Sequence, residues 1–525
     1  MQQPFSFILT CVAASVSASL VFADPPKSTI KVRLIGDGPK AARVSVVGSD
    51  DQPHAPDGVS LRKMKTGESY FYADDAFAVS PPKGKTHLRF SGGIEVIPQT
   101  VSLDATADAE FTVHLRPWID MAARGWYSGD SHVHLHTGGP IEVTVADALL
   151  AARAEGVNYA NLCVSNNVGD DIRDAELITG KPHAASTDKH LLVFGEEMRS
   201  MIYGHMQFFG IKKLVEPQYT GFDDTPNRND FPANYRMAAE ACRQGGYVTY
   251  AHPMFVGQPF PFGDDLTAPN AAARELPVDV IMNVVQGVDL MCYNSDEDLS
   301  AELWYRLLNC GLKLSACVGT DALLDQSTDP MGGCRMYVKV NGPLTMENWL
   351  EGLYKGRTFV TNGPIPQLSV ADSQPGATFN TKPGTVHVKV SVESRVPFDH
   401  IEVIVNGKVA VEKVVELKAD STTVHVQHFE PDIPIERSSW IALRVRGPDH
   451  PDIIDGPAWA HTSPVYMHVN RQPIRSAEDA QYFVDWIGQL IKVVATRDRY
   501  ASVKDRAEVE ALFHKAQDLY RRRAK

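Results

Sequence analysis

The chain has few basic residues for its size, which limits the partners it can have. It holds 51 Lys and Arg against 64 Asp and Glu, giving a formal net charge of −13 and a pI near 5.8. Sequence-independent nucleic-acid binding needs clustered Lys and Arg to displace phosphate counterions. We therefore expect no nucleic acid among its partners.

Cysteine is also scarce, with 7 residues and no CxxC pair. This excludes a small disulfide scaffold and the usual zinc-ribbon spacing. Beyond the N-terminal segment, four of the remaining six lie in apolar stretches, where a free thiol behaves as a small hydrophobe. We predict buried thiols, with one disulfide possible if the chain is exported.

Several catalytic motifs are missing. The sequence contains no Gly-x-Ser-x-Gly, and no P-loop or dinucleotide-binding glycine motif stands in the required strand and helix context. The hydrophobic content of 43% and charged content of 22% are ordinary for a folded globular protein. These features exclude a serine-triad hydrolase of that type and a polytopic membrane protein.

An uncharged, largely apolar run begins at Phe7 and closes at Ala23, before Asp24. It is short for a membrane span of about 20 residues, and Val21 and Ala23 suit signal peptidase. We predict a signal peptide over residues 1–23, a periplasmic or secreted protein, and no transmembrane segment after cleavage. An uncleaved anchor is the alternative, whereas Thr10 before Cys11 argues against lipidation.

Hydrophobic patterning divides the rest of the chain. Period-two alternation over residues 29–115 and 367–470 predicts half-buried antiparallel strands, and hence two β-sandwiches. Between them, strands alternate with helices, which favours an α/β barrel. The predicted domains are 24–117 (N-terminal β-sandwich), 118–365 (barrel), 366–470 (C-terminal β-sandwich) and 471–525 (C-terminal helices).

Within the barrel region, apolar runs separated by turn residues predict the individual elements. The strands are predicted at 159–164, 191–194, 206–211, 247–250, 288–291 and 314–318, and the helices at 144–155, 232–244 and 299–310.

The sharpest chemical signal is the run GDSHVHLH, which contains His132 and His134. Residues i and i+2 of a strand share a face, so both imidazoles can point at one metal ion. Taken alone, the pattern could equally be a pair of surface histidines.

Four further segments place a metal-capable side chain near a predicted strand end. They are GEE with Glu197, YGH with His205, AHP with His252 and GTD with Asp321. In a parallel barrel the carboxyl ends of the strands form the functional face. Imidazoles and carboxylates there suit Zn, Mn or Fe.

In this order, the motifs resemble the PHP (polymerase and histidinol phosphatase) superfamily, and specifically its carbaryl-hydrolase-like CehA/McbA family. The resemblance rests on WYSGDSHVHLH, FGEEMRSMIYGHMQFFG, GGYVTYAHP, LWYRLLNCGLKLSACVGTD and GLYKGRTFVTNGP, and covers residues 118–364. It implies a PHP-type distorted (β/α)7 barrel, flanked here by the two sandwiches and the helical segment.

The resemblance also implies one or two divalent transition metal ions (Zn, Mn or Fe). One ion would be held by His132, His134, Glu197 and Asp321, and the second by Glu197, His205 and His252. Glu196 is the competing carboxylate. Leu323 occupies the position where some superfamily members have a His for a third metal.

Further residues are candidates for catalysis and substrate binding. Asp130 could orient His132 or His134, or form a turn, and His136 could extend the ligand row, supply a proton or lie in a loop. Either Asp321 or His136 could shuttle a proton to the leaving group. The candidate substrate-binding residues are Asn166, Asn167, Arg199 and Tyr203.

These features predict a metal-dependent hydrolase that uses metal-activated water to cleave an ester, amide or carbamate bond of a small molecule. A phosphoesterase is the first alternative, disfavoured because the loops around the candidate ligands hold few basic residues. The second alternative is a non-catalytic metal- and glycan-binding surface protein. The sequence leaves the oligomeric state open.

Overall fold

A computed structural model describes residues 25–36, 40–165, 169, 171–254, 262, 271–416 and 424–525. The predicted signal peptide and two of the candidate substrate-binding residues, Asn166 and Asn167, lie outside the described residues.

The first ten strands form three small sheets. Their bounds are β1 Ile30–Ile35, β2 Ala41–Val47, β3 Arg62–Lys63, β4 Ser69–Asp74, β5 Ala76–Val79, β6 Gly84–Ser91, β7 Val96–Ile97, β8 Gln99–Ala105, β9 Ala109–His114 and β10 Arg116–Pro117. One sheet has the order β5-β1-β9, a second β3-β4-β2-β6-β8, and β7 pairs with β10. The β1–β9 pair is parallel, so the expectation of a wholly antiparallel region is wrong there.

The middle of the chain alternates strands with helices around a strongly curled sheet. The strands are β11 Trp126–His134, β12 Tyr159–Val164, β13 Leu191–Ser200, β14 Gly204–Phe209, β15 Tyr219–Thr220, β16 Tyr247–Tyr250, β17 Gly287–Met291, β18 Ser315–Val318, β19 Ala322–Leu323, β20 Arg335–Lys339 and β21 Thr358–Thr361. The helices are α1 Val145–Glu155, α2 Asn234–Arg243, α3 Leu276–Ile281, α4 Glu297–Asn309 and α5 Met346–Tyr354, with a 3-10 turn at Ala175–Leu177. The chain is therefore a mixed α/β protein.

Strand β11 has neighbours on both of its edges, so it is an interior strand of the curled sheet. It pairs in parallel with β12 and β19, and in antiparallel fashion with β20. Strands β12–β13, β16–β17 and β17–β18 are also parallel pairs.

The predicted strands 159–164 and 247–250 are confirmed residue for residue, and the three predicted helices agree with α1, α2 and α4 to within two residues at each end. Two details differ around the candidate site. Strand β13 runs on to Ser200, so Glu197 lies within it. Strand β14 is antiparallel to both β13 and β16, so the series is not uniformly parallel. Because β14 runs backwards, its first residues lie beside the last residues of β13.

The C-terminal strands continue the large sheet and add a smaller one. Their bounds are β22 Ile365–Val370, β23 Thr378–Thr381, β24 Gly384–Ser394, β25 His400–Val405, β26 Lys408–Val414, β27 His425–Phe429, β28 Asp432–Ile435, β29 Ser439–Arg446, β30 Trp459–Thr462 and β31 Val465–Val469. The predicted turn at Asn406 and Gly407 joins β25 to β26, and both residues have positive φ, at 49° and 82°. The hairpin prediction is confirmed.

Two long helices end the chain, α6 Ala477–Arg497 and α7 Val503–Ala524, as the predicted helical hairpin requires. They pack back onto the middle region, where Trp486 donates from Nε1 to the Arg274 carbonyl and Tyr520 donates from its hydroxyl to the Pro277 carbonyl. In the part of the chain that the structure describes, no helix combines the length and apolar character needed to span a membrane.

The six described cysteines are free thiols, and all are buried except Cys242, which is partly exposed. The prediction of mostly buried thiols is confirmed.

Candidate metal centre

Strand β11 aims two imidazoles at one point. His132 and His134 are both fully buried, and their Nε2 atoms lie 2.9 Å apart. The Cys163 carbonyl on the neighbouring strand β12 lies 3.0 Å from His134 Nδ1 and accepts its proton. That bond fixes the tautomer, so the lone pair of Nε2 faces the candidate centre.

Glu197 presents its two carboxylate oxygens to two groups of histidines. Oε2 lies 3.3 Å from His132 Nε2 and 3.4 Å from His134 Nε2. Oε1 lies 3.0 Å from His205 Nδ1 and 3.7 Å from His252 Nε2. One carboxylate thus lies between both groups of side chains.

The reversed direction of β14 explains how His205 reaches Glu197. His205 pairs with Arg199 across the two strands, and Glu197 lies two residues before Arg199 on the same face of β13. If β14 were parallel to β13, its first residues would lie beside the first residues of β13, far from Glu197.

Asp321 completes the first group from the turn after β18. Its Oδ1 lies 3.4 Å from His132 Nε2 and 3.3 Å from His134 Nε2, and its N–H donates to the His132 carbonyl at 2.8 Å. Asp321 has φ 61° and His252 has φ 28°, both in the left-handed region that non-glycine residues avoid. Strained backbone of this kind concentrates at functional sites.

These donors fit a metal ion. The ligand atoms fall into three groups within 4.8 Å of one another: His132, His134 and Glu197; His132, His252 and Asp321; and Glu197, His205 and His252. Ligand atoms arranged tetrahedrally at about 2.0–2.1 Å from one ion lie about 3.3–3.4 Å apart. All four separations from Oε2 of Glu197 and Oδ1 of Asp321 to the two β11 imidazoles are of that size. All six residues predicted as ligands are therefore brought together.

One side of the centre is open to solvent. The Asp321, His205 and Arg199 side chains are 19%, 15% and 19% exposed, whereas those of the β11 histidines and Glu197 are at most 1% exposed. Arg199 donates from Nε to Glu197 Oε2 at 2.6 Å. Arg199 therefore lies at the exposed rim of the centre.

The carboxylates and imidazoles shift one another's protonation. Burial disfavours the His134 cation, but hydrogen bonds to Asp321 and Glu197 outweigh it and raise the pKa of His134 to about 9. Burial lowers the pKa of His205 to about 4 against the opposing hydrogen bond to Glu197. Burial opposes ionisation of Glu197, yet the charges of Arg199 and His132 hold the pKa of that carboxyl well below its usual range. The Glu197 carboxylate is thus held ionised by the positive groups around it, and a metal ion could take the place of the proton on His134.

Asp130 does not contact either imidazole, which corrects the predicted ring-orienting role. Its carboxylate accepts from the His132 N–H at 3.1 Å, from the Thr320 N–H and hydroxyl at 3.0 and 2.6 Å, and from the Gly332 N–H at 2.8 Å. Asp130 therefore ties the backbone of β11 to the turn that carries Asp321. It is a positioning residue.

Glu196 points away from the centre, as strand alternation requires of the residue beside Glu197. It is fully buried, and its Oε2 accepts from the Val215 N–H at 2.7 Å. Burial raises the pKa of Glu196 well above its usual value. Of the two adjacent carboxylates, Glu197 is the one that faces the histidines.

His136 does not belong to the groups of ligand atoms, and its contacts support the loop placement that was the alternative to a ligand or a proton donor. Its Nδ1 lies 2.9 Å from both carboxylate oxygens of Asp174, and its Nε2 lies 2.9 Å from the Val143 carbonyl. Burial opposes its charge, but these acceptors raise the pKa of His136. Both nitrogens are used to hold two loops together.

Tyr203 is also corrected as a substrate-binding residue. Its side chain is fully buried, and its hydroxyl lies 2.7 Å from the Tyr500 hydroxyl and donates to the Asp230 carbonyl at 3.1 Å. Its ring packs edge-on against Phe513 of α7. Tyr203 therefore anchors the C-terminal helices.

Sequence reasoning missed Gly319, which allows the close approach of two strands beneath the ligands. A Cβ at this position would lie 2.3 Å from the His132 Cβ and 2.7 Å from the Ser131 hydroxyl. The glycine of the GTD triplet was the available signal. The sequence patterns also did not predict a row of buried polar side chains beside the centre. The Ser131 hydroxyl donates to Gln207 at 2.9 Å, and Gln207 donates to Asp289 at 2.9 Å. Burial raises the pKa of Asp289 to about 8.

No protein-family profile and no curated protein sequence matches the chain. Two solved structures share partial similarity. The lesion-specific endonuclease PfuEndoQ from Pyrococcus furiosus is 12% identical at a TM-score of 0.30, with 44% of this chain and 56% of that chain covered. Endonuclease Q in complex with a 27-mer duplex containing an abasic lesion is 15% identical at a TM-score of 0.29, with 44% and 57% covered. The chain thus spans little more than half of these structures, and such TM-scores establish no shared activity.

Proposed function

We propose that the protein is a metal-dependent hydrolase of the PHP superfamily and of its CehA/McbA family. The observation that carries the proposal is the position of Glu197, whose two oxygens face separate groups of ligand atoms. One ion would be held by His132, His134, Glu197 and Asp321, and a second by Glu197, His205 and His252. The motif resemblance described above supports the family assignment.

A divalent transition metal ion bound here would polarise the substrate as a Lewis acid and lower the pKa of a bound water. The chain's own groups provide the rest. The Cys163 carbonyl fixes the His134 tautomer, and Asp130 fixes the spacing between β11 and the Asp321 turn. The Asp321 carboxylate lies on the open side, where it can accept a proton from the attacking water and pass it to the leaving group.

For the substrate we propose a small molecule with an ester, amide or carbamate bond. Among the described residues that contact the six ligands through hydrogen bonds or ion pairs, Arg199 is the one permanent cation. Its Nε donates to Glu197. A single engaged guanidinium gives little compensation for a doubly charged phosphate. Phosphoester hydrolysis remains the second candidate, because a guanidinium at the exposed side of the centre is a group type that recognises phosphate oxygens.

Hydrolysis of matched substrates tests the proposal. Purified protein reconstituted with Zn, Mn or Fe is assayed with p-nitrophenyl acetate, a 1-naphthyl N-methylcarbamate and p-nitrophenyl phosphate. We expect turnover of at least one ester or carbamate that is abolished in Asp321→Ala, while Asp174→Ala, outside the ligand set, retains it. Turnover of the phosphate alone would replace the carbonyl substrate with the phosphoester. No turnover of any substrate by metal-loaded protein would contradict a hydrolase.

We also propose the division into a signal peptide (1–23), an N-terminal sandwich (24–117), a barrel (118–365), a C-terminal sandwich (366–470) and C-terminal helices (471–525). Separate hydrophobic clusters support it, one confined to residues 30–115 and another to residues 368–469. Export is tested by N-terminal sequencing of protein recovered from the periplasm and the medium. A mature N-terminus at Asp24 is expected, and an intact Met1 in cytosolic protein would contradict export.

A further inference from the structure

A cleft of about 960 Å³ opens where the middle region meets the C-terminal strands. The described residues that line it include five cations, Arg124, Lys313, Lys339, Lys355 and Arg357, and no Asp or Glu. The whole chain has a net charge of −13, whereas the charged residues that line this cleft are all positive. The electrostatic potential in the cleft is therefore opposite in sign to that expected from the net charge.

The cleft lies at the opposite end of the strands from the candidate metal centre. Trp126, the first residue of β11, lines the cleft, whereas His134, the last residue of that strand, belongs to the centre. Eight steps of a strand span roughly 26 Å. Ser315, the first residue of β18, also lines the cleft, while Asp321 follows the other end of β18. The cleft is therefore a separate site.

Two of the cations are held over aromatic rings rather than by carboxylates. Lys313 Nζ lies 5.1 Å from the Tyr466 ring centroid and donates to the Thr378 hydroxyl at 2.7 Å. Lys339 Nζ lies 5.7 Å from the Trp126 ring centroid and donates to the Arg124 carbonyl. An ammonium has three donors, so each lysine keeps donors for a ligand.

Two of the five cations in the lining form ion pairs with carboxylates. Arg124 pairs with Glu393 and Lys355 with Glu351, both outside the lining. Within the described residues, no carboxylate oxygen lies within 4.0 Å of a charged nitrogen of Lys313, Lys339 or Arg357. Three positive charges thus face the cleft without a carboxylate partner.

Side-chain amides distinguish this lining from a nucleic-acid groove. Asn283, Asn341, Gln367 and Gln374 line the cleft, and amides can donate to and accept from sugar hydroxyls. Gln286 also lines it, but its amide is engaged with the Val248 N–H and the Cys242 thiol. Binding of single-stranded nucleic acid instead uses rows of open aromatic faces. The described rings offer no such row. Tyr466 is 4% exposed beneath Lys313, Trp126 packs against Phe359 at 5.1 Å, and Tyr354, at 47% exposed, is a single open ring.

We propose that this cleft binds an acidic oligosaccharide, a carbohydrate chain bearing carboxylate or sulfate groups. The cations bind the acidic groups, and the amides bind the hydroxyls between them. The site would hold the protein on an acidic glycan independently of hydrolysis at the metal centre.

Calorimetric titration with defined oligosaccharides tests the proposal. The probes are a galacturonic acid hexamer, a heparin-derived hexasaccharide, neutral cellohexaose and a dT12 oligonucleotide, at low and at physiological ionic strength. We expect one or both acidic hexasaccharides to bind, with weaker binding at higher salt, and cellohexaose not to bind. The two acidic probes distinguish carboxylate from sulfate as the recognised group.

Variants localise the binding. The double variant Lys313→Ala/Arg357→Ala should bind the acidic probe at least tenfold more weakly, and Lys313→Arg should bind as the native chain does. The matched control Lys408→Ala/Arg437→Ala removes two exposed charges outside the cleft and should bind normally. Thermal unfolding and metal content show that each variant is folded. Failure of both acidic probes, equal binding of cellohexaose, binding of dT12 as tight as the acidic probe, or normal binding by the cleft variant would each overturn the proposal.

Discussion

Arg199 donates from Nε to Glu197 Oε2 at 2.6 Å, and the same oxygen faces the His132 and His134 imidazoles at 3.3 and 3.4 Å. A guanidinium and a metal ion would therefore compete for the electron density of one carboxylate oxygen. We therefore expect Arg199 to weaken the binding of a cation by Glu197.

Replacement of Arg199 by Gln removes that competing charge. We expect Arg199→Gln to bind metal several-fold more tightly than the native chain, measured by competition with a chromogenic chelator. Arg199→Lys keeps a positive charge and should change the affinity less. Weaker metal binding by Arg199→Gln would show that the guanidinium supports the ligand geometry instead of competing with it.

Asp130 holds the two segments that carry the ligands, so its effect should reach the metal through the backbone. Asparagine at this position offers one acceptor oxygen in place of two and turns an NH2 group toward the donors of Thr320 and Gly332. We expect Asp130→Asn to lower metal affinity by about 10–100-fold, the usual effect of losing an outer hydrogen-bond partner.

The control for Asp130→Asn is Asp479→Asn, a buried carboxylate that contacts Arg306 and Asn309 far from the centre. Both variants should lose some thermal stability, but only Asp130→Asn should lose metal affinity. Equal metal affinity in the two variants would remove Asp130 from the site.

Gly319 has no room for a side chain beneath the ligands. A methyl group would lie 2.3 Å from the His132 Cβ, so Gly319→Ala should displace β11 and reduce metal content in the purified protein. Gly488→Ala in α6 is the control, since its new Cβ would meet only the Gln517 amide at 3.4 Å. Full metal occupancy in Gly319→Ala, measured by elemental analysis, would argue against this packing.

Much of the site followed from strand periodicity. The spacing of His132 and His134 predicted a shared face, and the same alternation separates Glu197 from Glu196. The sequence did not predict the hydrogen-bond partners that come from distant segments of the chain. His136 is hydrogen-bonded to Asp174, 38 residues away, and Tyr203 is hydrogen-bonded to Tyr500, 297 residues away. No local pattern reveals such contacts.

The fold shows the same division between local and long-range information. Apolar runs located β12 and β16, because each is a short buried strand bounded by turn residues. The direction of β14 could not be read from its residues, since an apolar strand has the same composition in parallel and antiparallel pairs. Its direction depends on the short turn that begins at Met201 after β13.

His461 gives the protein a defined sensitivity to acid. Its Nδ1 donates to the Thr462 carbonyl at 2.8 Å, so its Nε2 accepts from the Tyr305 hydroxyl at 2.5 Å. Burial lowers the pKa of His461 to about 3. Between about pH 6.5, the value for an unfolded chain, and pH 3, the unfolded state binds one more proton than the folded state.

Stability should therefore fall as the pH falls through this window, by up to about 1.4 kcal/mol per pH unit from this residue alone. His461→Gln should flatten the pH dependence of the free energy of unfolding, measured with urea at pH 7, 6, 5 and 4. The exposed His514→Gln is the control and should leave the native slope unchanged. Parallel curves for native protein and His461→Gln would contradict this assignment.

The metal content of purified variants shows whether His132 and Asp321 hold an ion. Mature protein, His132→Ala, Asp321→Ala and the non-ligand control His136→Gln are purified in parallel, incubated with Zn, Mn or Fe, desalted and measured by elemental analysis. We expect one to two equivalents of metal in the native protein and in His136→Gln, and a loss of at least one equivalent in each ligand variant. A native protein that retains no metal, or ligand variants that retain as much as the native chain, would contradict a metal centre built from these residues.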